Sequence, residues 1–129
     1  MESIVWLKRS LYAGALFDAL FGMPLLGAPQ AVADIFHITP PPDVYSRLIG
    51  LLLLMLAGIY YHAAQEPHRY VGVIVVAIAG RSAGACLFVA AALGRTAPAV
   101  FLYVGLVDLT LAVAHALWVR DLFRPADRP

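Results

Sequence analysis

The segment "RLIGLLLLMLAGIYYHAAQEPHRY", residues 47–70, decides the fold of this chain. It carries no charged side chain between Arg47 and Glu66, and a histidine, His62, stands among its apolar residues. A helix that crosses a membrane needs about 20 mostly apolar residues. We therefore predict that this segment crosses a membrane and ends in a tight turn at residues 65–69.

The composition of the whole chain is typical of a multi-pass membrane protein. Of its 129 residues, 62% are hydrophobic and 13% are charged, and the mean hydropathy is +0.82. A soluble domain of this size needs more polar surface than that. We predict one all-α domain over residues 1–129, an antiparallel bundle of four transmembrane helices with short connections. The predicted spans are about residues 10–28, 45–64, 70–93 and 98–119.

The longest connection, residues 29–42, has an amphipathic pattern of its own. Pro29 opens it, and Val32, Ile35 and Phe36 fall on one side of a short helix. Such a helix lies in the plane of a membrane surface with its apolar side toward the lipid. We predict an interfacial helix between the first two spans, followed by a proline-rich turn.

Basic residues orient the predicted spans. Four spans place both termini on one side of the membrane, and that side also receives the turn at residues 65–69. Loops on the cytoplasmic side carry an excess of lysine and arginine, so we predict that both termini are cytoplasmic. Asp18 interrupts the first apolar run, which favours a retained span over a cleaved signal peptide. The basic residues on the side of the termini are Lys8, Arg9, Arg69, Arg120, Arg124 and Arg128, against Arg47 and Arg95 on the other.

Three ionisable residues, Asp18, Arg81 and Asp108, lie near the centres of predicted spans. A charge at that depth costs roughly 2.5–3.5 kcal/mol on insertion scales. Each of the three has glycine or alanine neighbours about one helical turn away, and small residues mark the faces where membrane helices approach closely. We predict that all three face inward and that Arg81 bridges the two aspartates.

Two interpretations of this predicted cluster remain open. In the first, the cluster is structural and holds three spans in register. In the second, it binds a proton or a substrate, because one arginine and two carboxylates carry a formal charge of −1 that a proton or cation would neutralise.

Two histidines are further candidates for the bundle interior. His62 follows Gly50 and Gly58 along a stripe of residues spaced four apart, and His115 lies seven residues beyond Asp108. Both are predicted to face inward at similar depth, which is the arrangement of an axial ligand pair for b-type haem. Contact with a quinone or a lipid headgroup, and a plain hydrogen bond to a neighbouring carbonyl, are the alternatives.

Sequence motifs of soluble enzymes and of metal sites are missing from the chain. There is no P-loop, no GxGxxG, no HExxH and no paired cysteine motif, and Cys86 is alone. The sequence therefore predicts no catalytic residues and no metal ligands apart from the haem hypothesis. No basic tract indicates nucleic-acid binding.

Three stretches together carry a resemblance to known proteins. "RLIGLLLLMLAGIYYHAAQEPHRY", "AGRSAGACLF" and "GLVDLTLAVAHALW" resemble, over roughly residues 45–120, a group of small bacterial four-helix integral membrane proteins without an established activity. The resemblance implies a four-span topology alone and carries no activity. We expect the chain to lie in a bacterial inner (plasma) membrane with both termini cytoplasmic.

We therefore expect a non-enzymatic membrane subunit or a binding protein for a small hydrophobic or lipid-like ligand. The alternatives are a proton-coupled small-molecule carrier and a haem- or quinone-binding redox protein. The expected partners are the lipid bilayer and either a second copy of the chain or another membrane protein.

Overall fold

The computed structural model describes residues 2–39, 41 and 43–123, and within them the chain is all-α. The helices are α1 (Glu2–Gly27), α2 (Pro29–Phe36), α3 (Asp43–Gln65), α4 (Val71–Leu93) and α5 (Val100–Val119). A 3-10 segment, Arg120–Phe123, follows α5. The turn prolines Pro40 and Pro42, and the residues Arg124 and Arg128 used to orient the chain, lie outside the described residues.

Four of these helices are long and apolar enough to cross a membrane, and the short α2 lies between the first two of them. The predicted fold class is thus confirmed. The predicted bounds of the last three spans agree with α3, α4 and α5 to within two residues. The chain divides into two compact units, one formed by residues up to Leu11 together with those from Ala63 onward, the other by Tyr12–His62.

Helix α1 begins eight residues earlier than the predicted start of the first span. The first turns of α1 are amphipathic, so a search for a continuous run of apolar residues does not include them. Leu7 and Leu11, which belong to these turns, are nevertheless fully buried. Lys8 extends to the Gln65 backbone carbonyl, 3.1 Å from its Nζ, and the Arg9 guanidinium lies 5.0 Å from the Trp6 ring centroid. Long basic side chains with apolar stems allow a helix to continue through a polar stretch in this way.

Helix α2 forms where the proline pattern predicted it, with Pro29 in its first turn. It ends at His37, whose φ of 52° places it in the left-handed region, and the Ile38 N–H donates to the Ala33 carbonyl at 3.0 Å. This is a common way for a helix to terminate. Ile35 is 71% exposed, so α2 presents a large apolar side chain outward.

Within the unit Tyr12–His62, helices α1 and α3 meet at two glycines. A Cβ atom on Gly50 would lie 2.5 Å from the Leu26 nitrogen and 2.7 Å from the Gly22 carbonyl oxygen. Only glycine fits so close an approach of two backbones. Arg47 supports the same crossing, because its Nη1 donates to the Leu26 carbonyl at 2.7 Å.

Within the other unit, α4 and α5 pack side by side as the short connection between them predicted. That connection contains Arg95, whose φ of 57° is left-handed, and it is fastened by the Thr96 N–H, which donates to the Ala91 carbonyl at 2.9 Å. The opposite end of this unit carries a stacked pair of tryptophans, Trp6 and Trp118, with ring centroids 6.3 Å apart.

Candidate functional site

The candidate site in the unit that contains α4 and α5 is built around one ion pair. Arg81 of α4 donates a hydrogen bond from Nη1 to Oδ1 of Asp108 on α5. The two side chains are only 6% and 14% exposed. The prediction that Arg81 and Asp108 face inward and pair with each other is confirmed.

Small residues surround this pair and let the two helices approach closely. Ala77 and Ala85, one turn on either side of Arg81, are buried, and so is Gly105, one turn before Asp108. A Cβ atom added to Gly105 would lie 3.2 Å from the Ala85 carbonyl oxygen. The close approach brings the short aspartate side chain within reach of the guanidinium, and a larger residue at this crossing would separate them.

His115 lies on the same face of α5 as Asp108, two turns further along, and is fully buried. Ala112, between them, is also buried. The backbone of Ser10 and the charge of Arg81 form the polar environment of the imidazole. The inward orientation predicted for His115 is confirmed, and the structure brings it into the electrostatic range of the ion pair.

Asp18 belongs to the unit Tyr12–His62, where it is 3% exposed. Gly14 and Gly22, one turn before and after it, are buried as predicted. Ser46 of α3 is a further buried polar residue in this unit, with the same exposure. The inward orientation of Asp18 is therefore confirmed, and its contact with Arg81 stays a prediction.

The inward orientation predicted for His62 is wrong, because the side chain is exposed. Gly58, on the same predicted stripe, is also exposed, with nothing within 4 Å of an added Cβ. A residue four positions along an α-helix is rotated by about 40° relative to the first, so three such steps from Gly50 turn His62 by about 120°. The seven-residue step from Asp108 to His115 leaves an offset of only about 20°.

The buried face of α3 follows alternate steps of four and three residues instead. It includes Tyr60, which is 2% exposed and which the sequence analysis did not assign to the interior. The three- and four-residue spacing of this face is the sequence signal that could have identified it. The buried members of this face are Ser46, Gly50, Ala57, Tyr60 and Ala64.

Metal-ligating side chains do not form a cluster of three or more in the part of the chain that the structure describes. Over residues 2–39, 41 and 43–123, no group of three or more histidine, cysteine, aspartate or glutamate side chains could hold a metal ion. Cys86 is exposed on α4. Among its described residues, the unit that contains α4 and α5 buries an ion pair and an imidazole, groups that can fix helices or exchange protons.

Comparison of the chain with protein-family models, with curated proteins and with solved structures finds no match.

Proposed function

We propose that this chain is a non-enzymatic membrane protein, a subunit of a bacterial inner-membrane assembly or a binding protein for a small hydrophobic or lipid-like ligand. In this proposal the Arg81–Asp108 pair is structural. The observation that carries it is the burial of a self-neutralising pair at a tight crossing of two helices. The resemblance of residues 45–120 to small bacterial four-helix membrane proteins supports the membrane topology in this proposal and no activity.

Charge balance supports the structural role of the pair. Arg81 and Asp108 carry opposite charges and share a direct hydrogen bond, so neither needs a ligand for neutralisation. A paired charge in the apolar interior resists separation, because breaking the pair strands a charge away from water. Such a pair fixes the register of α4 against α5.

The outer faces of the helices support the proposed partners. Large apolar side chains are exposed along the spans, among them Leu20, Val76 and Tyr103, which are 62%, 72% and 69% exposed. Apolar surface of this kind contacts lipid chains, another membrane helix or a hydrophobic ligand.

The experiment compares what co-purifies with two forms of the protein in a mild detergent. The native chain and the variant Arg81→Leu/Asp108→Asn are purified identically, and the bound small molecules and proteins are identified by mass spectrometry. A structural pair predicts that the folded double variant retains the same bound species in the same ratio. Selective loss of one species from a folded double variant would show that the pair contacts a ligand.

A proton-coupled carrier is the second candidate function, and Asp18 favours it. A carboxylate that is 3% exposed within a membrane helix is expensive to keep ionised, and such residues mark ion pathways in many transporters. Together with Arg81 and Asp108 it gives the buried groups a formal charge of −1.

The carrier hypothesis is tested in sealed vesicles that contain the purified protein and a pH-sensitive dye. A carrier predicts proton movement when candidate substrates are added, with loss of this signal in Asp18→Asn. The matched control is Asp34→Asn, since Asp34 is an exposed acid on α2. Absence of proton movement with the native protein leaves the structural proposal in place.

The haem or quinone hypothesis rests on His115 alone, because His62 is exposed. A buried imidazole is a suitable single ligand or hydrogen-bonding group for such a cofactor. An absorption spectrum of the purified protein tests the haem form of this hypothesis, and a Soret band would place haem binding above the other two candidate functions.

A further inference from the structure

A cleft of about 340 Å³ lies at one end of the unit that contains α4 and α5. Two α1 residues, Ile4 and Lys8, line one side of it, and residues 65–69 of the turn before α4 line the other. The turn is held by the Arg69 and Tyr70 N–H groups, which donate to the Glu66 carbonyl at 3.0 and 3.2 Å. The cleft is thus a feature of ordered backbone and is separate from the Arg81–Asp108 pair.

The rim of the cleft carries more positive than negative charge. Lys8 donates from Nζ to the Gln65 carbonyl at 3.1 Å, which holds the ammonium at the rim. Arg69 donates from Nη1 to the Glu66 carboxylate at 3.3 Å, and the side chains of Arg69 and Glu66 remain more than half exposed. Two cations against one carboxylate leave a formal charge of +1, and His68 is exposed beside them.

Aromatic rings place this end of the unit at the depth of lipid headgroups. The Arg69 guanidinium lies 5.5 Å from the Tyr70 ring centroid, and Arg9 lies 5.0 Å from that of Trp6. Trp6 in turn stacks on Trp118. Tryptophan and tyrosine concentrate at the membrane–water interface, where basic side chains meet phosphate groups.

We propose that this cleft binds the headgroup of an anionic phospholipid, with the phosphate between Lys8 and Arg69. Ile4, which is half-buried, supplies apolar surface for the glycerol and the first carbons of the acyl chains. Basic pockets at the ends of membrane helices select anionic headgroups in this way. A choline headgroup brings its own cation to the positive rim, so the cleft prefers phosphatidylglycerol to phosphatidylcholine.

The test measures lipid retention by native mass spectrometry. The full chain is purified, exchanged into mixed micelles with equal amounts of phosphatidylglycerol and phosphatidylcholine, and the ratio of bound lipids is read from the spectrum. We expect preferential retention of phosphatidylglycerol by the native protein. Lys8→Gln and Arg69→Gln should each lower that ratio by about fivefold, the worth of one basic group near a charged headgroup.

Arg95→Gln is the matched control, because Arg95 is exposed in the α4–α5 connection and the change removes the same charge. Its lipid ratio should stay at the native value. An equal drop in all three variants would overturn the proposal, since net charge alone would then explain the preference, and so would a native ratio of one.

Two further arms keep the test decisive. Lys8→Arg retains the charge and should retain the lipid ratio, which separates charge from folding if Lys8→Gln is unstable. Glycerol 1-phosphate, added at millimolar concentration, should leave the bound phosphatidylglycerol in place. Its displacement by this soluble phosphate would identify the cleft as a site for a free phosphate compound and overturn the assignment to lipid.

Discussion

Replacing Arg81 by leucine tests the energetic role of the ion pair. The substitution leaves the Asp108 carboxylate, only 14% exposed, facing the apolar crossing of α4 and α5. Removing one partner of a buried pair typically costs 3–5 kcal/mol. Because Asp108 retains some exposure, we expect the lower end of that range, a loss of about 3 kcal/mol in the free energy of unfolding.

Adding Asp108→Asn to Arg81→Leu should recover most of this loss. The double variant leaves no stranded charge at the crossing of α4 and α5, and replacing both members of a buried pair is often close to neutral. The native protein, both single variants and the double variant form a cycle that isolates the coupling between the two side chains.

The assay is reversible unfolding by sodium dodecyl sulfate in mixed micelles. Trp6 and Trp118 are the only tryptophans of the chain and stack in the same unit as the pair, so their fluorescence reports its unfolding. Arg69→Leu is the control, since it breaks an ion pair whose partners are 69% and 59% exposed and should cost less than about 1 kcal/mol. If Arg81→Leu proves as stable as the native protein, the pair does not hold the helices and the reasoning fails.

Three further predictions concern packing, topology and cofactors. Gly50→Ala should lower the free energy of unfolding by about 1–3 kcal/mol, because the added Cβ would lie 2.5 Å from a backbone atom. The control Gly58→Ala should not destabilise the protein, because its added Cβ has no atom within 4 Å. Reporter fusions at the C-terminus and in the turn at residues 65–69 should read cytoplasmic and one in residues 29–42 external, and an external C-terminus would contradict the four-span orientation. If His115 ligates haem, His115→Ala should abolish a Soret band that the native protein shows, and a colourless native protein would end that hypothesis.

The sequence predicted the helices well because their signals are local. A run of about 20 apolar residues identifies a membrane helix without knowledge of its neighbours. Arg81 and Asp18 were also placed correctly, since small residues one turn away on either side mark the face that contacts another helix. These predictions extend over one or two helical turns, where rotational error is small.

Longer extrapolation and contacts between distant segments were less predictable. The drift of a four-residue repeat over three steps moved His62 off the buried face, and the same four-residue repeat left out the buried Tyr60. The early start of α1 was not predicted, because Lys8 is stabilised there by the carbonyl of Gln65, 57 positions away in the sequence. The cleft at this end depends on that same contact, so the sequence alone could not indicate it.

The most direct test of the central claim is to detect the Arg81–Asp108 contact in a lipid bilayer. Solid-state NMR on protein labelled with ¹⁵N-arginine and ¹³C-aspartate reports close approach of guanidinium nitrogen to carboxyl carbon, and the exposed pair Arg47–Asp43 gives an internal reference. The account predicts a contact signal in the native protein that disappears selectively in Asp108→Asn, while the reference signal remains. A spectrum of Asp108→Asn with every native contact intact would contradict the buried ion pair.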